Sequence, residues 1–447
     1  MTEAQAQART PTFIFSYKDL GKIFPLGDKV VLVEIARIEE NPLLKVFLLV
    51  YEDGKVEPVV EGTRYHGITI KSEDEYLPLP KKLPDFRSFL NTETLDLKEA
   101  YEEVKQVLHK TVDFPRKEHY DLVTSWVSYT WVRGFFSKNV NLYFIGFPAT
   151  GKSQALKFCK YFARYPIDYD PTSEKSYKWL ISRTLGVLLI DEAEYLNKIQ
   201  TARLRKYHEA NVTETRTIGL PVQGLTNIDI RVGLTNIDIR VDAPIVLSST
   251  HPPADTAFMQ RGYIIRMRKG NPEVKDFMLL DNILTLPESF AKTVLVNWKR
   301  IFEAYERVMT KLTFKNMDER IKDLIVPIAS ILEALGEKWD WVIDYAKYSF
   351  TQANFVTPET ASFISLILLI RNVAEKTEEH YIIPLEDINK LLEELAERMG
   401  ASPSKLNYLR QYLFSGCELK LRKDKFCYFC DKETVDAIIN NLSFEEE

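Results

Sequence analysis

Asn139-Val-Asn-Leu-Tyr-Phe-Ile-Gly-Phe-Pro-Ala-Thr-Gly-Lys-Ser153 decides the fold of this 447-residue chain. An apolar run, Val140 to Ile145, breaks at Gly146. The loop Gly146-Phe147-Pro148-Ala149-Thr150-Gly151-Lys152-Ser153 then fits the spacing G-x-x-x-x-G-K-S. A helical pattern follows, with Ala155, Leu156, Cys159 and Phe162 on one face. Strand, glycine loop and helix in that order are the setting in which this spacing binds phosphate. Glycines let the backbone wrap closely, so successive N–H groups and the new helix N-terminus point at an anion. Lys152 is expected to reach the β- and γ-phosphates of a nucleotide, and the Ser153 hydroxyl to ligate Mg2+.

Leu185-Gly-Val-Leu-Leu-Ile-Asp-Glu-Ala-Glu194 supplies the second half of such a site. It reads as a buried strand ending in Asp191 and Glu192, and acids at the tip of an apolar strand are costly unless they face a cation or water. Asp191 is expected to hold Mg2+ through water, and Glu192 to polarise the attacking water. The pair of motifs predicts a nucleotide hydrolase using ATP and Mg2+.

Composition sets the frame. Hydrophobic residues make up 45% and charged residues 28% of the chain, ordinary for a globular protein with room for several domains. A net charge of −5 gives no global basic field, so nucleic-acid contacts must come from local patches. Met1 to Pro11 is polar, without a secretory pattern, and the apolar stretch Phe363 to Ile370 is too short to span a bilayer. Four cysteines in a chain this long are no disulfide scaffold. The expected location is intracellular, in the cytoplasm, with no membrane contact.

Val30 to Ile38, Leu44 to Tyr51 and Val56 to Val60 read as strands, the last two joined by an Asp53-Gly54 turn. Leu77-Pro-Leu-Pro-Lys-Lys-Leu-Pro84 is a stiff connector and the expected domain boundary. Leu97 to Val112 and the aromatic-rich Tyr120 to Phe136 read as helices; Trp126, Tyr129 and Trp131 are expected in the core and not as a base-stacking platform. After the acids come a basic helix, Leu196 to Ala210, and a β-type stretch, Thr213 to Asp242. That stretch holds a perfect tandem repeat: Gly224 to Val232 recurs unchanged as Gly233 to Val241. The expectation is a hairpin of the two copies turning at Gly233-Leu234, with Arg231 and Arg240 on its polar face as candidate DNA contacts.

Ala243-Pro-Ile-Val-Leu-Ser-Ser-Thr250 is a further buried strand, and hydroxyls at its carboxyl end lie where a γ-phosphate sensor would sit in an open α/β sheet; Thr250 is the candidate. Arg261 precedes a last strand, Gly262 to Arg266, and is a candidate arginine finger. Asn271 to about Asn354 is helical. Beyond it, helices at 358–374, 384–397, 405–414 and 432–442 with a basic hairpin, Glu418 to Phe429, read as a winged helix. Lys405 and Arg410 would lie on its recognition helix, and Lys420, Arg422, Lys423 and Lys425 on its wing, as DNA contacts. A wing turn centred on Lys423-Asp424 would set Cys417 opposite Cys430, open to a disulfide; reduced core cysteines are the other reading.

Phe114-Pro-Arg-Lys-Glu-His-Tyr120, Trp126, the glycine loop and Leu-Ile-Asp-Glu-Ala-Glu194 together resemble the AAA+ ATPases of plasmid, phage and viral replication, the superfamily-three and poxvirus-type primase-associated helicases and their archaeal relatives. Arg261 matches their arginine finger by order, while Thr250 stands where they usually carry Asn. The resemblance covers about Pro115 to Leu335. It implies a hexameric homo-oligomeric ring, each site completed by a neighbour's arginine, and a hairpin before the sensor strand that projects into a DNA-filled channel. The expected fold class is thus α/β: an AAA+ P-loop ATPase core with linker helices (81–270) and a helical lid (271–355), between an N-terminal β-rich domain (1–80) and a C-terminal winged-helix domain (356–447). The expected function is an ATP-hydrolysing DNA helicase or translocase. An ATP-switched initiator, loader or transcription regulator is the alternative, and a protein remodeler a third.

Overall fold

The computed structural model describes residues 12–15, 20–26, 29–38, 41–60, 63–65, 68–72, 83, 85–146, 148–169, 174–210, 212–221, 232–250, 252–253, 255–280, 282–313, 317–354, 375–376, 380–384, 386–387, 390, 420–422 and 427–431. The chain divides into two compact units, Met1–Pro253 with Ala257–Phe350, and Ala254–Thr256 with Thr351–Glu447.

The first unit opens on strands. β1 (Thr12–Phe15) precedes the antiparallel meander β2 (Ile23–Leu26), β3 (Lys29–Ile38), β4 (Asn41–Tyr51) and β5 (Val56–Val60), followed by β6 (Arg64–Tyr65) and β7 (Ile68–Ser72). β7 pairs parallel with β1 and antiparallel with β6. The meander is apolar on both faces. Val31, Val33, Phe47, Leu49 and Tyr51 form a small cluster on one side. Leu32, Ala36, Val46, Leu48 and Val50 join the main core on the other. The N-terminal strands therefore share a core with the helices that follow. The indole of Trp298 donates to the Val50 carbonyl (3.0 Å), and Arg164 donates to Glu34 (2.7 Å), both side chains buried.

Next come α1 (Phe86–Asn91), α2 (Leu97–Thr111) and α3 (Glu118–Trp131). Asp96 caps α2 by accepting from the Lys98 amide (2.8 Å), and Leu97, Ala100, Tyr101, Val104 and Leu108 recur at helical spacing on its buried face. Trp126, Tyr129 and Trp131 are core residues, as expected of aromatics at this spacing. Trp126 donates to the Val140 carbonyl (2.8 Å) and Trp131 to that of Phe162 (2.9 Å).

A central parallel sheet is then assembled from β8 (Asn141–Ile145), α4 (Lys152–Phe162), β9 (Ile167–Asp168), α5 (Glu174–Thr184), β10 (Leu188–Ile190), α6 (Lys198–Arg205), the hairpin β11 (Thr213–Pro221) and β12 (Val232–Arg240), β13 (Ile245–Ser249), α7 (Thr256–Met259) and β14 (Gly262–Arg266). Its order is β14-β8-β13-β10-β9, all parallel. Every residue of β8 and β13 is buried, as in a strand covered on both faces. The protein is thus mixed α/β with a parallel sheet and a P-loop-type core.

α8 (Leu286–Val296), α9 (Trp298–Thr313), α10 (Glu319–Leu335) and α11 (Asp340–Asn354) complete the helical part. α8 packs on α2, α3 and β4, and α10 on α9 and α3. α11 covers the sheet edge. Ser349 Oγ accepts from the Ile264 amide (3.2 Å) and the Tyr345 hydroxyl donates to the Ile264 carbonyl (2.8 Å), which satisfies backbone groups that an edge strand leaves open.

The hairpin departs from expectation. β12, which holds all of copy two of the repeat but Val241, pairs with β11, and Gly233-Leu234 lies inside the strand opposite Leu220 and Gly219. Thr213-Glu-Thr-Arg-Thr-Ile-Gly-Leu-Pro221 alternates as a strand should and precedes the repeat, so it takes the partner's place. Residues 222–231, most of copy one, lie outside the described residues.

In the second unit, β15 (Glu375–Lys376), β16 (His380–Pro384), β17 (Lys420–Arg422) and β18 (Cys427–Asp431) form an antiparallel sheet of order β15-β16-β18-β17. The expected hairpin pairing is present as β17 with β18, but Arg422 faces Cys427. A turn centred on Lys423-Asp424 would have set it opposite Lys425. That shift removes the register on which a Cys417–Cys430 pairing rested; Cys417 itself lies outside the described residues. So does nearly all of the helical sequence expected there. Among the described residues no helix is long and apolar enough to cross a membrane.

Candidate nucleotide site

Three strand tips meet at the carboxyl end of the sheet. β13 lies between β8 and β10, with Ser249 level with Ile145 and Leu247 level with Ile190. The residues that follow are therefore neighbours: Gly146 after β8, Thr250 after β13, Asp191 and Glu192 after β10. This is the end at which open parallel sheets bind ligands.

The loop after β8 is shaped for close approach. A Cβ on Gly146 would stand 2.6 Å from the Met267 carbonyl oxygen, so only glycine fits beside the segment leaving β14. Gly151 has φ +88° and starts α4 with no side-chain cap on the helix's first amides. Lys152 is nearly buried and donates to the Gly146 carbonyl (2.7 Å), spanning the loop from end to end. Ser153 is exposed in the first turn of α4, Thr150 is buried, and Pro148 and Ala149 are exposed with Ala149 at φ 62°. Phe147 lies outside the described residues. The glycine cradle, the lysine across it and the exposed serine suit a nucleotide polyphosphate, with Ser153 and Asp191 available to hold Mg2+.

Asp191 and Glu192 are both exposed, and the Glu192 amide donates to Asp191 Oδ1 (3.1 Å). Glu192 has φ 52°, a left-handed turn that ends β10 and starts the 3-10 turn Ala193–Tyr195. Ser248 Oγ donates to Asp191 Oδ1. The third acid of the motif, Glu194, reaches the neighbouring tip. Its Oε2 accepts from Ser249 Oγ (2.9 Å) and the Thr250 amide (3.2 Å), and its Oε1 from Thr250 Oγ1 (3.0 Å). Partial burial alone would raise its carboxyl; its own amide, Ser249 and Thr250 outweigh that and hold it below the ordinary carboxylate range. Ser248 and Glu194 had no assigned part in the sequence reading, although the hydroxyl run and the third acid were in view.

Arg261 stands elsewhere. It follows α7 and precedes β14, and its carbonyl accepts from the Asn141 amide (3.0 Å) at the amino end of β8. Four strand steps of ~3.3 Å, about 13 Å, separate that level from the loop at Ile145. Its Nη1 donates to the Ala257 carbonyl, and its Nε is buried without a hydrogen-bond partner. Burial lowers the guanidinium pKa; Tyr143 opposes and Arg205 and Arg320 add to the effect. Arg261 is not gathered into its own chain's glycine-loop site.

The expected DNA contacts divide. Arg240 is buried and ion-paired to Asp242, with Nη2 to Oδ2 at 3.0 Å, so its charge serves the fold and Arg240 leaves the DNA-facing set. Asp242 is also held by Arg133 (2.8 Å), which donates in turn to Asn139 Oδ1 and the Leu185 carbonyl (both 2.9 Å). The hairpin base is thereby tied to the start of both nucleotide strands. Lys420 and Arg422 lie on β17. Arg231, Lys405, Arg410, Lys423 and Lys425 lie outside the described residues.

No family model matches the chain, and no curated protein does. Among solved structures it is similar to a full-length MCM homolog from Methanopyrus kandleri, at 12% identity and TM-score 0.33, over 74% of this chain and 72% of that one. It is also similar to an SCCmec type IV Cch active helicase, at 11% identity and TM-score 0.35, over 93% and 97%. The NrS-1 C-terminal region is a third, at 11% identity and TM-score 0.35, over 89% and 95%. Scores this low leave the functional reading to the geometry of the site.

Proposed function

We propose that the chain is an ATP-hydrolysing AAA+ motor resembling the superfamily-three and primase-associated helicases, acting as a hexameric DNA helicase or translocase in the replication of a plasmid, virus or integrated element. The observation that carries this is the convergence of Lys152, Ser153, Asp191, Glu192 and Thr250 at one end of a β14-β8-β13-β10-β9 sheet, with Arg261 at the other. The loop amides and Lys152 bind and neutralise phosphate. Ser153 and Asp191 hold Mg2+, which when bound offsets the charge on the phosphates. Glu192 takes a proton from the attacking water. Arg261, remote from its own site, acts on the site of a neighbouring copy. In this reading residues 356–447 bind DNA through a winged helix.

Strand displacement on a forked duplex, with ATPase measured with and without DNA, tests the proposal. DNA-stimulated hydrolysis with unwinding supports it. Tight duplex binding without unwinding selects an initiator, loader or regulator instead. Lys152→Ala is expected to abolish nucleotide binding and turnover. Glu192→Gln is expected to spare binding and lower turnover at least 100-fold, roughly the worth of a general base. Normal turnover in Glu192→Gln would remove that residue from the chemistry.

A further inference from the structure

We infer that Glu194 is a positioning residue for hydrolysis: it fixes the direction of the Thr250 hydroxyl, so that Thr250 serves the attacking water and not the γ-phosphate. The inference rests on the ATPase reading above. Thr250 sits one residue beyond the Ser249–Ile145 pair, level with the first residue of the glycine loop. Its hydroxyl donates to Glu194 Oε1 (3.0 Å), and its amide donates to Oε2 (3.2 Å). A hydroxyl has one proton to give. Once that proton is committed to an ionised carboxylate, Oγ1 presents only lone pairs to anything else. Lone pairs accept from water and are repelled by phosphate oxygens. An amide side chain in this place could turn N–H donors toward the phosphate; a threonine held by Glu194 cannot.

Glu194 is also built to hold one orientation. Its second oxygen is occupied by Ser249 Oγ (2.9 Å), and Ala193, beside it on the same short turn, is buried. Glu192 and Glu194 lie on one short turn, so the base and the carboxylate that aims Thr250 move together. In the reaction, the water oxygen bonds to the γ-phosphorus while the bond to the bridging oxygen breaks, and ADP leaves with that electron pair. One water proton passes to Glu192, and the other O–H is donated to Thr250 Oγ1.

Four full-length proteins test this: wild type, Glu194→Gln, Thr250→Val and the double variant, each measured for single-turnover hydrolysis and for equilibrium binding of ATP and ADP with Mg2+. Each single variant is expected to lose about 10-fold in rate, the worth of one hydrogen bond to the reacting water. ATP affinity should stay within about two-fold, because no donor to the phosphate has been lost. The double variant should be no slower than Thr250→Val, since Glu194 acts through the hydroxyl. Thr250→Ser should recover rate relative to Thr250→Val. ADP affinity shared by all the proteins shows that the site is folded. Additive losses in the double variant, an unchanged rate in Glu194→Gln, or a loss of ATP but not ADP affinity in Thr250→Val would each overturn the inference. A wild-type chain that does not hydrolyse ATP overturns the ATPase reading itself, and this inference with it.

Discussion

Two buried histidines make stability depend on pH. His119, in the first turn of α3, packs against Tyr345, with Nε2 and the tyrosine oxygen 2.9 Å apart. The Tyr345 proton goes to the Ile264 carbonyl, so Nε2 must be the protonated nitrogen, and Nδ1 is buried without a partner. Burial, then the charge of Arg116, pushes His119 down to about 3. Burial, then Arg261, pushes His208 down to about 4, against the opposing pull of the Asn139 carbonyl. Both folded values lie below the ordinary one near 6.5, so the unfolded chain takes up protons first. The stabilisation is complete above about pH 6.5 and is lost as pH falls toward those lower values. At pH 5.5 each histidine should cost ~1.4 kcal/mol. Urea midpoints are expected to fall between pH 7 and pH 5, and His119→Gln with His208→Gln to flatten that fall. A slope unchanged by the two substitutions would assign the acid sensitivity to other groups.

A buried charge pair adds to the apolar contacts that join the N-terminal meander to the core. Arg164 and Glu34 are each about 1% exposed at the side chain, and Arg164 also donates to the Thr184 carbonyl (3.0 Å). Arg164→Met leaves a carboxylate without its partner in a dry interior and is expected to cost ~3–5 kcal/mol. Adding Glu34→Leu should return most of that, because an apolar pair of similar size needs no desolvation. Chemical denaturation of both variants checks this; a double variant as unstable as the single one would show that packing, and not charge, is at stake. This joint also marks a limit of sequence reading. Strands β3, β8, β13 and β14 were visible as apolar runs, since a strand's own residues carry its period. Glu34 and Arg164 carry no motif of their own in the sequence. Their partnership spans 130 positions, and nothing local announces it. The glycine loop and the Asp191-Glu192 tip were legible because their chemistry is packed into consecutive residues. Glu194 was not assigned, because its role depends on which strand lies next to β10.

At the scale of the assembly, the placement of Arg261 makes a demand. An arginine held level with the amino end of β8 contributes nothing to its own glycine loop. In the proposed ring it would complete a neighbour's site. Arg261→Ala is then expected to keep ATP affinity and lose about 10³-fold or more in hydrolysis. Mixing Arg261→Ala with Lys152→Ala chains should recover part of the activity, since one supplies an intact pocket and the other the arginine. No recovery in chains shown to co-assemble would refute the trans role. The β17–β18 hairpin was legible as an alternating basic run, yet its register was not, because a shift by two keeps every side chain on its own face.

The duplication raises the same ambiguity in sharper form, and the hairpin base resolves it. β11 could accept either copy, for the two are identical and their pairing energies must match. What distinguishes them is distance to Asp242. Copy two delivers Arg240 two residues before that buried carboxylate, whereas pairing with copy one would leave nine spare residues to be paid out ahead of Asp242. The ion pair is therefore a ratchet pawl against slippage: in the other register the buried Asp242 keeps Arg133 but loses its second cationic partner. Deleting Gly233 to Val241 would bring Arg231 to Asp242 and Gly224 to Leu220, shortening the joining segment from residues 221–232 to residues 221–223. Closing the shorter loop is easier by about 1 kcal/mol. The deletion is expected to fold at least as stably as the parent and to hydrolyse ATP. Arg240→Leu in the parent should release the pawl, and amide resonances of β11 should then double as two registers exchange. A single set of resonances in that variant would mean that something other than charge keeps the hairpin in step.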